Sequence, residues 1–279
     1  MRIRASVAIV TGALALTALA VPAAQAADAP GVGALAQSVR ANTAKSPADE
    51  SYGDTKISNV VVNGGKAIVF GPTTKKTFTV TFTATDNSGI DSAMALLWHG
   101  STFKNLDGGM VSNEDTATCT TVNATTVNCK ETFTVDAYYD LLNSYAGTWK
   151  VWAIAQGKDA DYVQKDNVKS VLVQRASQLT VNASPEPVKK GKTITVTGKL
   201  SRANWESGKY AGYSGQSVKL QFAKKGSSTY STVKTIKTDG TGNLKTTVKA
   251  SVDGTYRYAF AGTSSTPAVN AAGDFIDVK

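Results

Sequence analysis

Residues 77–85 read TFTVTFTAT, and this strict alternation constrains the fold more than any other feature of the chain. Successive side chains of a β-strand point to opposite faces, so Phe78, Val80, Phe82 and Ala84 share one face and five threonines share the other. One face of this strand is therefore predicted to lie in a core and the other in water. Similar runs cover residues 57–62, 93–99, 127–135, 148–156, 168–173, 179–181, 193–197, 218–222, 244–248, 256–260 and 275–278.

Turn-forming clusters such as DNSG, LDGG and TDGTGN separate these runs, and no long amphipathic helical period is present. The pattern predicts an all-β chain of two antiparallel β-sandwich domains, residues 56–176 and residues 177–279. Pro185 and Pro187 interrupt strand pairing near the boundary. The segments GTWKVWA and GTYRYAF, whose glycines are Gly147 and Gly254, have the same form and indicate two related units.

The segments VKKGKTITVTGKL, GQSVKLQFAKKGSSTY and TTVKASVDGTYRYAF resemble the immunoglobulin-like (Ig-like) modules of bacterial exported proteins. The resemblance covers residues 178–279 and, more loosely, residues 56–176. It implies tandem Ig-like β-sandwiches and an extracellular setting, but it brings no active-site residues, because such modules serve as spacers, adhesins and binding units alike.

The first 26 residues have the form of a secretory signal. Arg2 and Arg4 precede an apolar run that ends at Pro22, and small residues precede a predicted cleavage before Ala27. Residues 27–55 are Ala-rich and polar, which predicts a flexible leader. We expect a secreted or envelope-associated monomer without a transmembrane segment.

Positive charge is concentrated in the second domain. Residues 178–279 carry 15 Lys and Arg against 6 Asp and Glu, whereas residues 27–177 carry 13 against 15. This asymmetry favours an anionic partner such as an envelope polymer or an acidic polysaccharide, although a merely solvated basic surface explains it equally well. Export argues against nucleic acid as a native partner.

Cys119 and Cys129 are the only cysteines and bound the run CTTVNATTVNC. Opposite positions of an antiparallel hairpin lie close enough for a disulfide, and the spacing differs from that of a CxxC redox pair. We expect a disulfide-stapled hairpin with a three-residue loop, Asn123–Thr125, whose reduction destabilises only the first domain. Glu131 shares the apolar face of the second strand, which indicates a bulge, an exposed edge or a buried partner.

Evidence for catalysis is sparse. His99 is the only histidine, no GxSxG motif is present, and His99 is interpreted as a strand-end residue. The segment Asp86–Asp91 resembles part of a calcium loop but is equally explained as a turn. We expect no metal and no other cofactor. Carboxylates that a glycosidase-like site would draw on cluster in one region: Asp107, Glu114, Asp115, Glu131, Asp136 and Asp140.

A binding surface is the preferred hypothesis. Trp205, Tyr210 and Tyr213 lie in a glycine-rich segment of the basic domain, and aromatic rings in loops suit sugars or protein partners. The alternative is that Trp205 and Tyr210 fold back to cap an open sandwich end. Nearby turns add the lysines of the predicted site: Lys189, Lys190, Lys224 and Lys225.

The sequence thus predicts a non-enzymatic binding or structural protein that associates with an anionic or carbohydrate polymer of the cell envelope. One alternative is an inhibitor or partner of a secreted enzyme, which would act through an exposed loop such as the disulfide-bounded one. Another is a carboxylate-dependent extracellular hydrolase.

Overall fold

The structure, a computed structural model, describes residues 49–279. The predicted signal peptide and residues 27–48 of the predicted leader lie outside the described residues. Residues 49–55 belong to the fold, because Glu50–Tyr52 form a strand that pairs with Tyr162–Gln164.

The first domain is a sandwich of two sheets. One sheet has the order β1-β10-β9-β5-β6, with β3 also on β10, and the other has the order β2-β4-β8-β7. The strands are β1 (Glu50–Tyr52), β2 (Lys56–Val62), β3 (Ile68–Phe70), β4 (Lys75–Thr85), β5 (Ile90–Gly100), β6 (Leu106–Met110), β7 (Thr118–Asn123), β8 (Thr126–Asp136), β9 (Gly147–Gly157) and β10 (Tyr162–Arg175). A short helix, α1 (Ala137–Asp140), follows β8.

The second domain repeats this plan. One sheet centres on β13, with β11, β12, β14 and β17 as partners, and the other has the order β16-β15-β18-β19, with β20 also on β18. The strands are β11 (Ser177–Leu179), β12 (Asn182–Ser184), β13 (Thr193–Asn204), β14 (Lys209–Gly212), β15 (Ser217–Lys224), β16 (Ser231–Lys237), β17 (Asn243–Lys249), β18 (Gly254–Phe260), β19 (Val269–Asn270) and β20 (Asp274–Ile276).

The strand order is Ig-like in both domains and confirms the predicted fold class. Near the start of each domain the chain crosses from one sheet to the other. In the first domain β2 pairs antiparallel with β4 before β3 pairs parallel with β10, and in the second β12 pairs with β13 before Val188 forms a parallel bridge with Val278. Pro185 and Pro187 lie at the second crossing. The repeated Gly-Thr-aromatic segments begin β9 and β18, which occupy the same central position in their sheets.

Alternation explains the main core. On β4 the apolar side chains from Phe78 to Ala84 are buried, and the intervening threonines face outward. On β5 the six residues 93–98 are all buried, because a second apolar cluster covers the outer face of that sheet. Its members are Met94, Leu96, Trp98, Phe103, Trp152 and Ile154.

The two domains share a packed junction. Trp205, in the turn between β13 and β14 of the second domain, is fully buried in the hydrophobic cluster of the first domain. Its ring meets Phe70 edge-on at a centroid distance of 6.2 Å, its Nε1 donates to the Phe70 carbonyl (3.4 Å), and its backbone N–H donates to Asn143 Oδ1 (3.0 Å). The nearby Arg175 donates from Nε to the Ala203 carbonyl (2.5 Å). These contacts join the two sandwiches through side chains as well as through the chain itself.

Candidate functional site

The predicted binding residues separate into two groups at opposite ends of the second domain. Trp205, Tyr210 and Tyr213 lie at the end that meets the first domain, whereas Lys190, Lys224 and Lys225 line a cleft at the far end. One continuous surface of aromatic rings and lysines is therefore not formed.

The prediction that Trp205 is a ligand-binding ring is wrong. Its indole is fully buried between the domains, and its one polar side-chain atom, Nε1, donates a hydrogen bond to the Phe70 carbonyl. The alternative interpretation, a ring that folds back to cap the sandwich end, is close to the observed role. The ring that Trp205 covers belongs to the neighbouring domain, which sequence periodicity within one domain does not reveal.

The two tyrosines differ in accessibility. Tyr213 is half-buried, with the Arg202 guanidinium 3.8 Å above its ring and Phe260 5.9 Å away. Tyr210 is 38% exposed and lies near Gly71 of the first domain. Tyr213 is thus occupied by intradomain packing, and Tyr210 alone among the three aromatics offers substantial surface.

Three loops of the second domain and the segment that follows β20 meet to form the cleft at the far end, which we call the lysine cleft. The backbone fixes them: Lys190 N–H donates to the Lys279 carbonyl (2.8 Å), Gly191 N–H to the Ala250 carbonyl (2.7 Å), and Lys225 N–H to the Asp253 carbonyl (3.0 Å). The cleft has a volume of about 450 Å³. Its lining residues are Lys190, Lys224, Lys225, Ser251, Val252, Asp253, Val278 and Lys279.

Acidic groups neutralise only part of this charge. The Lys225 ammonium lies 3.3 Å from Asp253, and Lys279 lies 3.8 Å from Asp277. A hydrogen bond from the Val278 N–H and the ammonium of Lys225 lower the pKa of Asp253, so this carboxylate stays ionised and anchors Lys225. Within residues 49–279, Lys190 and Lys224 have no acidic partner within ion-pair distance, so their charges are available to a ligand.

Of two residues that the sequence analysis missed, Lys279 lines the cleft and Phe275 lies beside it. Lys279 follows the last strand and belongs to no lysine-rich turn, so only the bridge between Val188 and Val278 brings it to Lys190. Phe275 was assigned only to a strand, yet its ring is 40% exposed and lies 5.8 Å from the Lys225 ammonium. Lys189 is exposed beside the cleft without lining it.

His99 lies at the end of β5, as the sequence analysis interpreted it. Its Nδ1 is 2.6 Å from Asp107 Oδ1, and its ring packs against Tyr145 and Trp149 at centroid distances of 5.8 and 5.6 Å. These contacts hold the imidazole against the sheet.

Three carboxylates, those of Asp54, Asp86 and Asp161, come together at the Asp86 turn. One oxygen of each lies within 4.8 Å of the other two. Asp86 is buried, and both of its oxygens accept hydrogen bonds, from Thr55 Oγ1 (2.5 Å) and from Ser88 N (2.8 Å) and Oγ (2.5 Å). Burial acts to raise the pKa of Asp86, but these hydrogen bonds outweigh it and lower the pKa. The Asp86 carboxylate therefore ties the turn to the rest of the domain.

Glu131 has a buried partner, the third of the interpretations left open by its position. It is fully buried, accepts a hydrogen bond from Ala95 N–H on the facing sheet (2.7 Å), and lies 3.3 Å from Ser112 Oγ. Burial raises its pKa to about 8. Glu114, its neighbour through Ser112, accepts from the Thr132 N–H (2.9 Å). Polymer cannot reach a carboxyl sealed between two sheets, so Glu131 is unsuitable as one of the acids of a hydrolase.

The disulfide between Cys119 and Cys129 is confirmed, and the two residues lie directly opposite each other in the β7–β8 ladder. The predicted three-residue loop is wrong by one position, because Asn123 pairs with Thr126 and only Ala124 and Thr125 form the turn. The Thr125 carbonyl accepts from Asp86 N–H (2.9 Å). The tip is thus held against the Asp86 turn instead of projecting freely.

No helix in residues 49–279 is long and apolar enough to cross a bilayer. The model of a family of unknown function (DUF5707) matches residues 64–155, which lie in the first domain. No curated protein matches the sequence.

Several solved structures are similar. The D00-D0 domain of intimin is 15% identical with a TM-score of 0.28, and the alignment covers 80% of this chain and 98% of that one. The Escherichia coli adhesin FdeC is 15% identical with a TM-score of 0.34, covering 84% and 66%. The mouse nectin-like molecule 4 ectodomain is 13% identical with a TM-score of 0.25, covering 82% and 66%. Similarity at this level does not extend to function, so the function proposed below rests on this chain's own residues.

Proposed function

We propose that this protein is a secreted, non-enzymatic binding protein that holds an anionic polysaccharide of the cell envelope in the lysine cleft. The observation that carries the proposal is the convergence of Lys190, Lys224, Lys225 and Lys279 on one cleft, whose lining contains one acidic side chain, Asp253. Asp277, outside the lining, pairs with Lys279. The cleft lies at the end of the second domain away from the junction, so a polymer can enter without contacting the first domain.

The chemistry of the cleft suits a repeating anion better than a small one. Lysine ammonium groups are point charges on flexible stems, so they adapt to carboxylates or phosphates spaced along a chain. Each exposed ion pair contributes only about 0.2–1 kcal/mol, and affinity therefore depends on several pairs acting together. With Trp205 buried, ring stacking is left to Phe275 beside Lys225, and charge carries most of the recognition.

The proposal is tested with sodium polygalacturonate as the carboxylated probe and dextran as the uncharged one, by titration calorimetry at two salt concentrations. The test variant combines Lys190→Gln, Lys224→Gln and Lys279→Gln. Lys225 is kept because its pair with Asp253, at 3.3 Å, is closer than the pair of Lys279 with Asp277, at 3.8 Å. The matched control combines Lys219→Gln, Lys234→Gln and Lys245→Gln, which remove the same charge from exposed lysines that do not line the cleft.

We expect polygalacturonate to bind, dextran not to bind, and added salt to weaken the complex. Three lost ion pairs amount to roughly 1.5 kcal/mol, so the cleft variant binds about tenfold more weakly, whereas the control stays within about twofold. Equal losses in both variants would show that net charge alone matters, and the cleft would no longer be the site. Absence of polygalacturonate binding would refute the proposal.

A further inference from the structure

The outer edge of β10 is covered at both ends and open in the middle. β9 pairs with one side of β10 along most of its length. On the other side, β1 covers Tyr162–Gln164 and β3 covers Val173–Arg175. Across residues 49–279, no strand pairs with that side of β10 between Lys165 and Leu172. A stretch of backbone therefore lies unpaired within an otherwise occupied edge.

Hydrogen bonds at the two ends show which backbone groups face this opening. Ala176 N–H donates to the Phe70 carbonyl of β3 (2.8 Å), and Asp166 N–H donates to Asp49 Oδ1 just before β1 (2.9 Å). The N–H groups of a strand alternate between its two sides. The pairing is irregular between Lys165 and Lys169, where β10 advances by four residues while β9 advances by two. Because β10 gains an even number of residues there, the N–H groups on either side of the irregularity keep the same alternation. The N–H and C=O of Ser170 thus point into the opening.

An apolar groove of about 280 Å³ runs beside this edge, between β2 and β10. Val60, Val62, Ala67, Val171 and Leu172 contribute to its lining, as does Val61, which is 40% exposed. Lys66 and Lys169 also line it, and no acidic residue does. The turn from β2 to β3 does not close the groove, because Asn63 Nδ2 donates back within that turn to the carbonyls of Lys66 (3.2 Å) and Ala67 (3.0 Å).

We propose that this edge binds an extended, acidic segment of another protein by β-strand addition. An extended strand rises about 3.3 Å per residue, so an added segment of roughly five residues fits along the opening. The backbone of the added segment would pair with Ser170, its apolar side chains would enter the groove, and its carboxylates would approach Lys66 and Lys169.

Charge decides between the possible occupants. Two copies of this chain joined edge to edge would bring Lys66 and Lys169 of both copies together, which is unfavourable. Residues 41–48, which precede the described part of the chain, contain Lys45 and no acidic residue. An acidic segment from a different protein is the complementary partner. This inference is independent of the lysine cleft of the second domain.

The test measures the binding of a fluorescent acidic pentapeptide of alternating glutamate and valine to the purified chain. Binding is followed by the fluorescence anisotropy of the peptide. Ser170→Pro deletes the outward N–H, and proline is tolerated at strand edges whose N–H faces solvent. Ser170→Ala is the matched control. A double variant, Lys66→Glu and Lys169→Glu, reverses the charge of the groove. Its control is the double variant Lys75→Glu and Lys158→Glu, which reverses the same charge at exposed lysines outside the groove.

We expect Ser170→Pro and the Lys66/Lys169 variant each to weaken peptide binding about tenfold, with both controls within about twofold and with unchanged far-ultraviolet circular dichroism. The same peptide N-methylated at all five residues should not bind, because neither of its edges can then pair with a strand. Unchanged binding by Ser170→Pro, or equal binding of the N-methylated peptide, would overturn the proposal. A dimer that Ser170→Pro dissociates would also overturn it, because the occupant would then be a second copy of the chain. Peptide binding that occurs only after deletion of residues 27–48 would do the same, because the occupant would then be the chain's own segment.

Discussion

Glu131 is a buried acid whose ionisation affects the stability of the fold. In the folded protein burial raises its pKa to about 8, from an ordinary value near 4.5. Below pH 4.5 it is protonated in both states, and its contribution to the free energy of unfolding is greatest. As pH rises toward 8 it ionises only in the unfolded chain, so this contribution falls by up to about 1.4 kcal/mol per pH unit.

Glu131→Gln should therefore remove a pH dependence without removing contacts. The amide oxygen can accept from Ala95 N–H and the amide nitrogen can donate to Ser112 Oγ. We expect the stability of the variant, relative to the wild type, to increase between pH 5 and pH 8 in urea unfolding. Glu114→Gln is the control, because hydrogen bonds from Thr132 outweigh desolvation and lower the pKa of Glu114, so its titration falls below this range. Parallel curves for the wild type and Glu131→Gln would contradict the assignment.

At the scale of single elements, the disulfide joins an edge strand to the sheet. β7 is almost entirely exposed, and β8 is the only strand of the described residues that pairs with it. Closing a loop of this length contributes about 2–3 kcal/mol when its effect is attributed to the entropy of the unfolded chain. Replacing Cys119 and Cys129 by alanine should speed amide hydrogen exchange in Thr118–Asn123, which opens locally, more strongly than in β15–β18 of the second domain. Equal protection of β7 in the variant would show that the ladder and the Asp86 contact suffice without the bond.

Strands were predictable where one periodicity acted alone. β4 alternates because one of its faces is core and the other is solvent. The apolar run of β5 indicates burial but not its cause, since the covering cluster includes Phe103 from a loop and Trp152 from another strand. The hairpin turn was misplaced by one residue because Asn123 suits a loop as well as a strand end, and its Oδ1 accepts from Thr125 N–H in either case.

At the scale of the whole molecule, the positive charge of the candidate site was predictable from the sequence, but its location in the fold was not. Lysine-rich turns identified Lys190, Lys224 and Lys225, because turns between strands lie at sandwich ends whatever the pairing. Which end each turn occupies depends on strand direction and order, and this placed Trp205 at the junction and Phe275 near Lys225. A glycine-rich aromatic segment reads the same whether its rings face solvent or a neighbouring domain.

We expect Trp205 to couple the unfolding of the two domains. Its burial in the cluster of the first domain means that unfolding either domain exposes the indole and leaves Phe70 uncovered. Replacing a buried tryptophan by alanine costs roughly 3–5 kcal/mol, and here the loss falls on the contact between domains. We expect one calorimetric transition for the wild type and two for Trp205→Ala. For Trp205→Phe, which keeps an aromatic ring but loses the hydrogen bond to Phe70, we expect two transitions at closer temperatures. Tyr210→Ala, at an exposed neighbouring position, should keep a single transition. A single transition in Trp205→Ala would show that the remaining junction contacts, such as that of Arg175 with Ala203, couple the domains without it.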